Sequence, residues 1–226
     1  MAFTPSNSGL TRNLQRFADL PNKYVILCSP GTAFTGALTM TDVISAESIG
    51  TGYLRQAYAP GAATYDATQS RAELNSVSAT FSAGATGYSF TAAVLLSRAS
   101  AVASKAITAI DTSANTLTVA GHGLAIGDKV ILTLDPSGVT PGGITPGVIY
   151  FVQSVPSADL VTLSATNGGT VIDLTSTGTL PLRLRYANGE VELFESYSAT
   201  AIAANSSHNL AIQVSTGGAT ADVNAA

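Results

Sequence analysis

Few side chains in this chain of 226 residues could do chemistry: two histidines, one cysteine and fourteen acidic residues. His122 stands in the stretch NTLTVAGHGLAIGDKVIL (residues 115–132), between Gly121 and Gly123 and ahead of Asp128. A histidine is the usual general base and a nearby carboxylate can orient its ring, but hydrolysis also needs a nucleophile or an activated water set against that base. The stretch offers no such nucleophile. A metal centre needs more ligands than one histidine and one carboxylate, and the other histidine, His208, falls in a different part of the chain. The flanking glycines favour a bland reading. They suit backbone angles that other residues resist, Leu124 and Ile126 anchor the chain on either side of Ala125, and Gly127-Asp128 suit a tight turn before an apolar run. Gly121, His122, Gly123, Gly127 and Asp128 are therefore expected to build a structural corner, with the ring hydrogen-bonded to backbone; orientation of the ring by Asp128 belongs to the catalytic reading.

The remaining candidates weaken on inspection. Glu190, Glu192 and Glu195 read as the outer face of an alternating strand, which blunts an edge against sticky pairing. A glycosidase needs two carboxylates converging in a cleft. Asp135 and Asp173 sit beside turns, without the spacing of an EF-hand or RTX-type calcium loop. The segment GGITPG has no Lys-Ser or Lys-Thr after it and opens no helix, so it is no phosphate loop. Cys28, in YVILC, reads as a buried strand thiol, and a single cysteine leaves no disulfide within the chain. The tyrosines are spread about one per strand, as core-edge residues are. No catalytic, metal-binding or cofactor-binding residue is expected, and no cofactor.

Composition narrows the partners. Hydrophobic residues make up 46% and charged residues 11%, against about 25% charged in an average soluble domain. Net charge is −4, and Arg12, Arg16 and Lys23 are scattered singly near the N-terminus. Without a basic stripe, nucleic acid is not an expected partner. The longest apolar runs are strand length, far short of the ~20 residues of a membrane span, so no membrane partner is expected either. The opening MAFTPSNSG lacks the pattern of a secretory leader. A surface this poor in charge is weakly protected against association, which suits one that neighbours cover.

The elements that must position these residues follow from periodicity. Leu10, Leu14 and Phe17 make one apolar stripe at helical spacing, with Ser6 or Ser8 to cap it and Pro21 to end it. So short a helix is marginal alone and must pack on its own domain or on a neighbouring subunit; the stripe is taken as a candidate interface. Strand patterns follow in KYVILCSPG, closed by Pro30-Gly31, in GYLRQAYAPG, in NSVSATFSAG and in the long apolar YSFTAAVLLSRAS. From about residue 104 to 182 the chain becomes rich in Thr, Gly and Val, with frequent turn signals, the mark of a small sandwich or barrel. The first texture then returns in GEVELFESYS and HNLAIQVSTGG. The expected organisation is all-β: a discontinuous sandwich-like outer domain, residues 1–103 plus 183–226, with the short helix at its start, and a small β module, residues 104–182, inserted into a turn between two strands that would otherwise form a hairpin. Turns tolerate such insertions because closure entropy grows slowly with length.

The inserted stretch, with its Thr-Leu-Thr strand, Gly-His-Gly-Leu, Gly-Asp-x-Val, VIYFV and VIDLTSTGT, resembles a β module widespread in tailed-phage virion proteins. The outer strands, among them GTGYLRQAYAPG and NGEVELFESYSATAIAANSSHNLAIQV, resemble phage structural proteins of tail-fibre-like kind. The resemblance implies a non-enzymatic virion component assembled in the host cytoplasm. Its partners would be copies of itself, as a homo-oligomer and in particular a trimer, and other virion proteins. A tail adaptor, collar or fibre-base position is the leading expectation, with the helix as an anchor and the module projecting. A capsid decoration (cement) protein is the alternative. A host-surface glycan binder using the 135–147 loop and Tyr150 is a further one.

Overall fold

The computed structural model describes residues 6–29 and 34–216; the expected Pro30-Gly31 turn lies outside them. The fold is all-β with two short helices. In chain order come α1 (Asn7–Ala18), β1 (Tyr24–Cys28), α2 (Met40–Ala46), β2 (Gln56–Ala57), β3 (Thr64–Asp66), β4 (Arg71–Glu73), β5 (Val77–Ser82) and β6 (Tyr88–Ser97). Next are β7 (Ser104–Ile107), β8 (Ala109–Asp111), β9 (Thr116–Thr118), β10 (Lys129–Leu134), β11 (Ile149–Ser157), β12 (Leu160–Ser164) and β13 (Leu182–Tyr186). The chain ends with β14 (Glu190–Ile202), β15 (Ser207–Ile212) and β16 (Ser215–Thr216). It divides into two compact units, one of Met1–Ser29, Gly50–Ala101 and Glu190–Ala226, the other of Pro30–Ile49 and Val102–Gly189.

The first unit holds three antiparallel sheets, β14-β6-β1-β2, β15-β5 and β16-β4-β3. The apolar β6 is an interior strand, as its composition suggests. In β5 the alternation is realised, with Ala79 and Phe81 buried and Ser78 and Thr80 exposed. GYLRQAYAPG keeps only a two-residue strand, because Tyr53, Arg55 and Tyr58 all turn inward and strict alternation fails. The Arg55 guanidinium is buried and donates to the Ser100 carbonyl at 2.9 Å. Helix α1 starts at Ser6, whose hydroxyl accepts the Gly9 amide at 3.2 Å. At its other end Lys23 donates to the carbonyls of Ala18, at 2.7 Å, and Leu20. Burial pulls the Lys23 amine below its ordinary pKa, against the opposing pull of Asp19. The apolar stripe is used within the unit: α1 rests on β3, β4 and β16, Leu14 is buried, and Phe17 meets the Tyr58 ring at 6.5 Å. Of the stripe expected as a candidate interface, Leu14 is covered within the unit, while Leu10 and Phe17 are half-buried.

The second unit is a closed barrel. Its sheet runs β7-β13-β10-β11-β12-β9-β8, antiparallel throughout. The two terminal strands of that order are one continuous segment. β7 pairs with β13, β8 pairs with β9, and between them the Thr108 amide bonds the Thr118 carbonyl at 2.9 Å. The sheet thus joins its own ends and keeps no open edge along this seam. Inward positions alternate as a barrel requires: Val130 and Leu132, Tyr150 and Val152, Val161 and Leu163, Leu182, Leu184 and Tyr186 share one core with Ile107, Leu117, Val119 and Leu124. One end is closed by two loops bridged at Val139–Thr179 and Gly142–Ser176, which bury Ile144 and Leu174. The stretch TVIDLTS forms only two isolated bridges, Gly142–Ser176 and Ser164–Val171.

The module is larger than the expected 104–182. β13, expected among the outer strands, pairs with β10 and β7 inside the barrel. Residues 34–49, from far upstream, join the same unit. Here α2 begins with a capping box: the Thr39 hydroxyl accepts the Asp42 amide, and the Asp42 carboxylate accepts the Thr39 amide at 3.0 Å. The Thr39 hydroxyl also donates to that carboxylate at 2.6 Å, and this bond first, then the one from the Thr39 amide, holds the Asp42 carboxyl below its ordinary pKa. α2 covers the outer face of β10, packing Ile44 on Ile131 and Ala187. Beside it Arg185 donates to Glu47 twice, to the backbone carbonyl at 2.9 Å and to the carboxylate at 3.2 Å, with side chains only 3% and 0% exposed. As expected, the insertion interrupts a hairpin: β14 pairs with β6 from Glu190–Ser97 onward.

Breaking a buried ion pair from one side strands a charge. Glu47→Ala is expected to lower unfolding free energy by about 3–5 kcal/mol, read by urea denaturation. The double variant E47L/R185M, which removes both charges and keeps the volume, is expected to recover most of that loss.

Candidate functional site

The corner links β9 to β10 across the end of the barrel opposite the bridged loops. Many of its polar groups are spent on this crossing. The Val119 and His122 amides bond the carbonyls of Asp159 and Ala158, and the Gly121 amide bonds the Asp159 carboxylate at 2.6 Å, so the β11–β12 turn holds one side. Lys105 on β7 donates to the carbonyls of Ala120 and Gly121 at 3.1 and 2.6 Å. From β13 the Tyr186 hydroxyl donates to the His122 carbonyl. The glycines take the angles expected of them, with φ of +52° at Gly121, +62° at Gly123 and +91° at Gly127.

His122 is 3% exposed. Its Nδ1 accepts the Leu124 amide at 2.9 Å, so the hydrogen is on Nε2, which faces the Ser157 carbonyl at 3.2 Å and donates to it. The ring thus staples its own chain to the end of β11. Asp128 does not orient the ring, as the catalytic reading would need. Its two oxygens accept the Ala125 amide and the Asn188 carboxamide, each at 2.8 Å, while the other end of that carboxamide accepts the Lys129 amide at 2.7 Å. Both ring nitrogens and both carboxylate oxygens are thus taken by hydrogen bonds within the barrel unit. Burial, and then the Asp128 charge, push the Tyr186 hydroxyl up to about 12.

The other sequence candidates are dispersed. Asp135 holds Arg183 with both oxygens, at 3.0 and 2.8 Å, and Asp173 is exposed. Glu190 pairs with Arg98 at 2.7 Å, and Glu192 accepts from the Ser97 hydroxyl. His208 lies in the other unit, its ring 5.6 Å from that of Phe90. Tyr150, named as a glycan contact, is instead a core residue, 6% exposed, whose hydroxyl accepts the Thr145 amide at 2.8 Å. This bond folds the 135–147 loop back on the barrel. Among the described residues no group of three or more His, Cys, Asp or Glu could hold a metal ion. Among the described residues no helix is long and apolar enough to cross a membrane. Sequence reasoning missed Tyr186 and Arg185; the Leu-Arg-Leu-Arg-Tyr alternation was the available signal for which of them face inward. No family model, curated protein or solved structure matches the chain.

Two outcomes test the corner. His122→Ala is expected to lose about 2–3 kcal/mol, from two hydrogen bonds and the space left behind. His122→Asn, which can still accept the amide two residues on, is expected to recover about half, by thermal or urea unfolding.

The second outcome concerns alkaline pH. A folded-state pKa of about 12 against an ordinary 10.0 makes the Tyr186 contribution complete below pH 10.0 and lost as pH rises from there to about 12. Tyr186→Phe is expected to flatten part of the stability decline in that window. Tyr58 and Tyr197, also pushed up to about 12 by burial, keep the remainder.

Proposed function

We propose that this protein is a non-enzymatic structural component of a tailed-phage virion, self-associating and bound to other virion proteins. A tail-associated position as adaptor, collar or fibre base is favoured. The observation that carries the reading is where the chemistry goes. His122, Asp128, Asp135, Glu190 and Glu192 are absorbed into bonds that hold a β framework, while large apolar side chains remain at its surface. Leu134, Val139 and Leu180 are 43%, 55% and 41% exposed. They share the bridged-loop end of the barrel, where Val139 is tied to Thr179 and the Asp135 amide reaches the Pro181 carbonyl. Only 11% of residues are charged, so little in the composition opposes association. The resemblance of the Gly-His-Gly-Leu module to tailed-phage virion modules supports the same reading.

Sedimentation across a concentration series tests self-association; a trimer is the expected species. Lysine at both Val139 and Leu180 is expected to weaken association roughly tenfold or more without lowering the melting temperature, as removal of central apolar contacts does. A monomer at every concentration overturns the self-association. Cryo-electron microscopy of particles carrying this chain tests the location. Density at neck, tail or baseplate supports the tail position, density on the capsid makes it a decoration protein, and absence from the particle overturns the proposal.

A further inference from the structure

The chain contains two Asn-Gly pairs, Asn167-Gly168 and Asn188-Gly189. They are chemically alike and structurally opposite. Asn188 is half-buried, and its carboxamide is held at both ends, by the Lys129 amide at 2.7 Å and the Asp128 carboxylate at 2.8 Å. Asn167 is exposed, in the turn between β12 and the Ser164–Val171 bridge, and among the described residues its side chain makes no hydrogen bond. One bond spans the turn, from the Gly169 amide to the Thr166 carbonyl at 2.9 Å. Gly168 has φ +71° and no heavy atom within 4 Å of where a β-carbon would stand.

We propose that Asn167 is a site of spontaneous covalent modification. The Gly168 backbone nitrogen, losing its proton, attacks Cγ of Asn167. The new N–Cγ bond forms as the Cγ–Nδ2 bond breaks, and ammonia leaves with a proton from solvent. Water then opens the succinimide at either carbonyl, giving aspartate or isoaspartate. No oxidation state changes, and water is the one co-reactant. The reaction needs rotation of the Asn167 backbone and side chain to bring nitrogen and carbon together. Glycine puts no side chain in the way of the attacking nitrogen, the space beside Gly168 is open, and no hydrogen bond of the Asn167 side chain opposes the rotation. At Asn188 the same rotation first breaks two hydrogen bonds. The product carboxylate stands beside the corner, because Asn167 Oδ1 lies 3.4 Å from where a β-carbon on Gly127 would be.

The test is to incubate the full folded chain in mildly alkaline buffer beside a urea-denatured sample, and to follow both sites by peptide mass and by isoaspartyl methyltransferase labelling. In urea both sites are expected to convert at comparable rates. In the folded chain Asn167 is expected to convert within a few-fold of its denatured rate. Asn188 is expected to be slower by roughly thirtyfold, the population penalty of breaking two hydrogen bonds. An acidic form on ion exchange is expected from the native chain and not from Asn167→Gln. Equal protection of both sites, conversion of Asn188 as fast as Asn167, or an acidic form that persists in N167Q overturns the assignment.

Discussion

Residues 104–111 hydrogen-bond to two strands that stand at opposite ends of the same sheet order. That double pairing, made across Thr108, turns a sheet into a ring, and much of the second unit follows from it. A ring has an inside, so alternate residues on each strand must be apolar to fill it. It also has two ends, which must be covered if the core is to stay dry. The loops joined at Val139–Thr179 and Gly142–Ser176 cover one; the Gly-His-Gly corner crosses the other. The corner is polar at an apolar boundary, so each of its groups needs a partner. The histidine is suited to that position because its flat ring can accept from one backbone group and donate to another.

The outer wall of the ring carries a second requirement. Outward residues of a barrel normally face water, yet Ile131 and Arg185 are buried. The segment that buries them comes from between β1 and β2, far upstream in the chain. An apolar contact, Ile44 on Ile131, and a desolvated ion pair, Arg185 with Glu47, occur side by side. The first contributes cohesion. The second contributes little net stability but is intolerant of a missing partner.

Much of the architecture was legible from periodicity. The stripe of α1, the alternation of β5 and the uninterrupted apolar run of β6 each reflect a local pattern that burial then uses. The corner was legible because glycines at 121, 123 and 127 announce backbone angles that β-carbons resist. Three things were not. α2 is too short for helical periodicity to stand out; its signal was the Thr39-x-x-Asp42 cap. β13 was assigned to the wrong unit, because an alternating Leu-Arg strand reads alike wherever it pairs, and its partner strands are far away in sequence. The buried Arg55 and Arg185 were unreadable, since alternation predicts which face a residue takes but not what later covers that face.

The strap of residues 34–49 bears on how such a protein can change over generations. A β module bounded by the paired ends of β6 and β14 has the form of a cassette, which recombination could exchange at two neighbouring points. The strap breaks that simplicity. A cassette brought in without it would meet Glu47 and Ile44 shaped for a different wall, and a barrel carried off alone would leave its own wall bare. Exchange must therefore move two separated stretches of coding sequence together. Otherwise positions 44 and 47 must drift in step with 131 and 185, leaving a statistical coupling between sites that lie nearly one hundred positions apart or more.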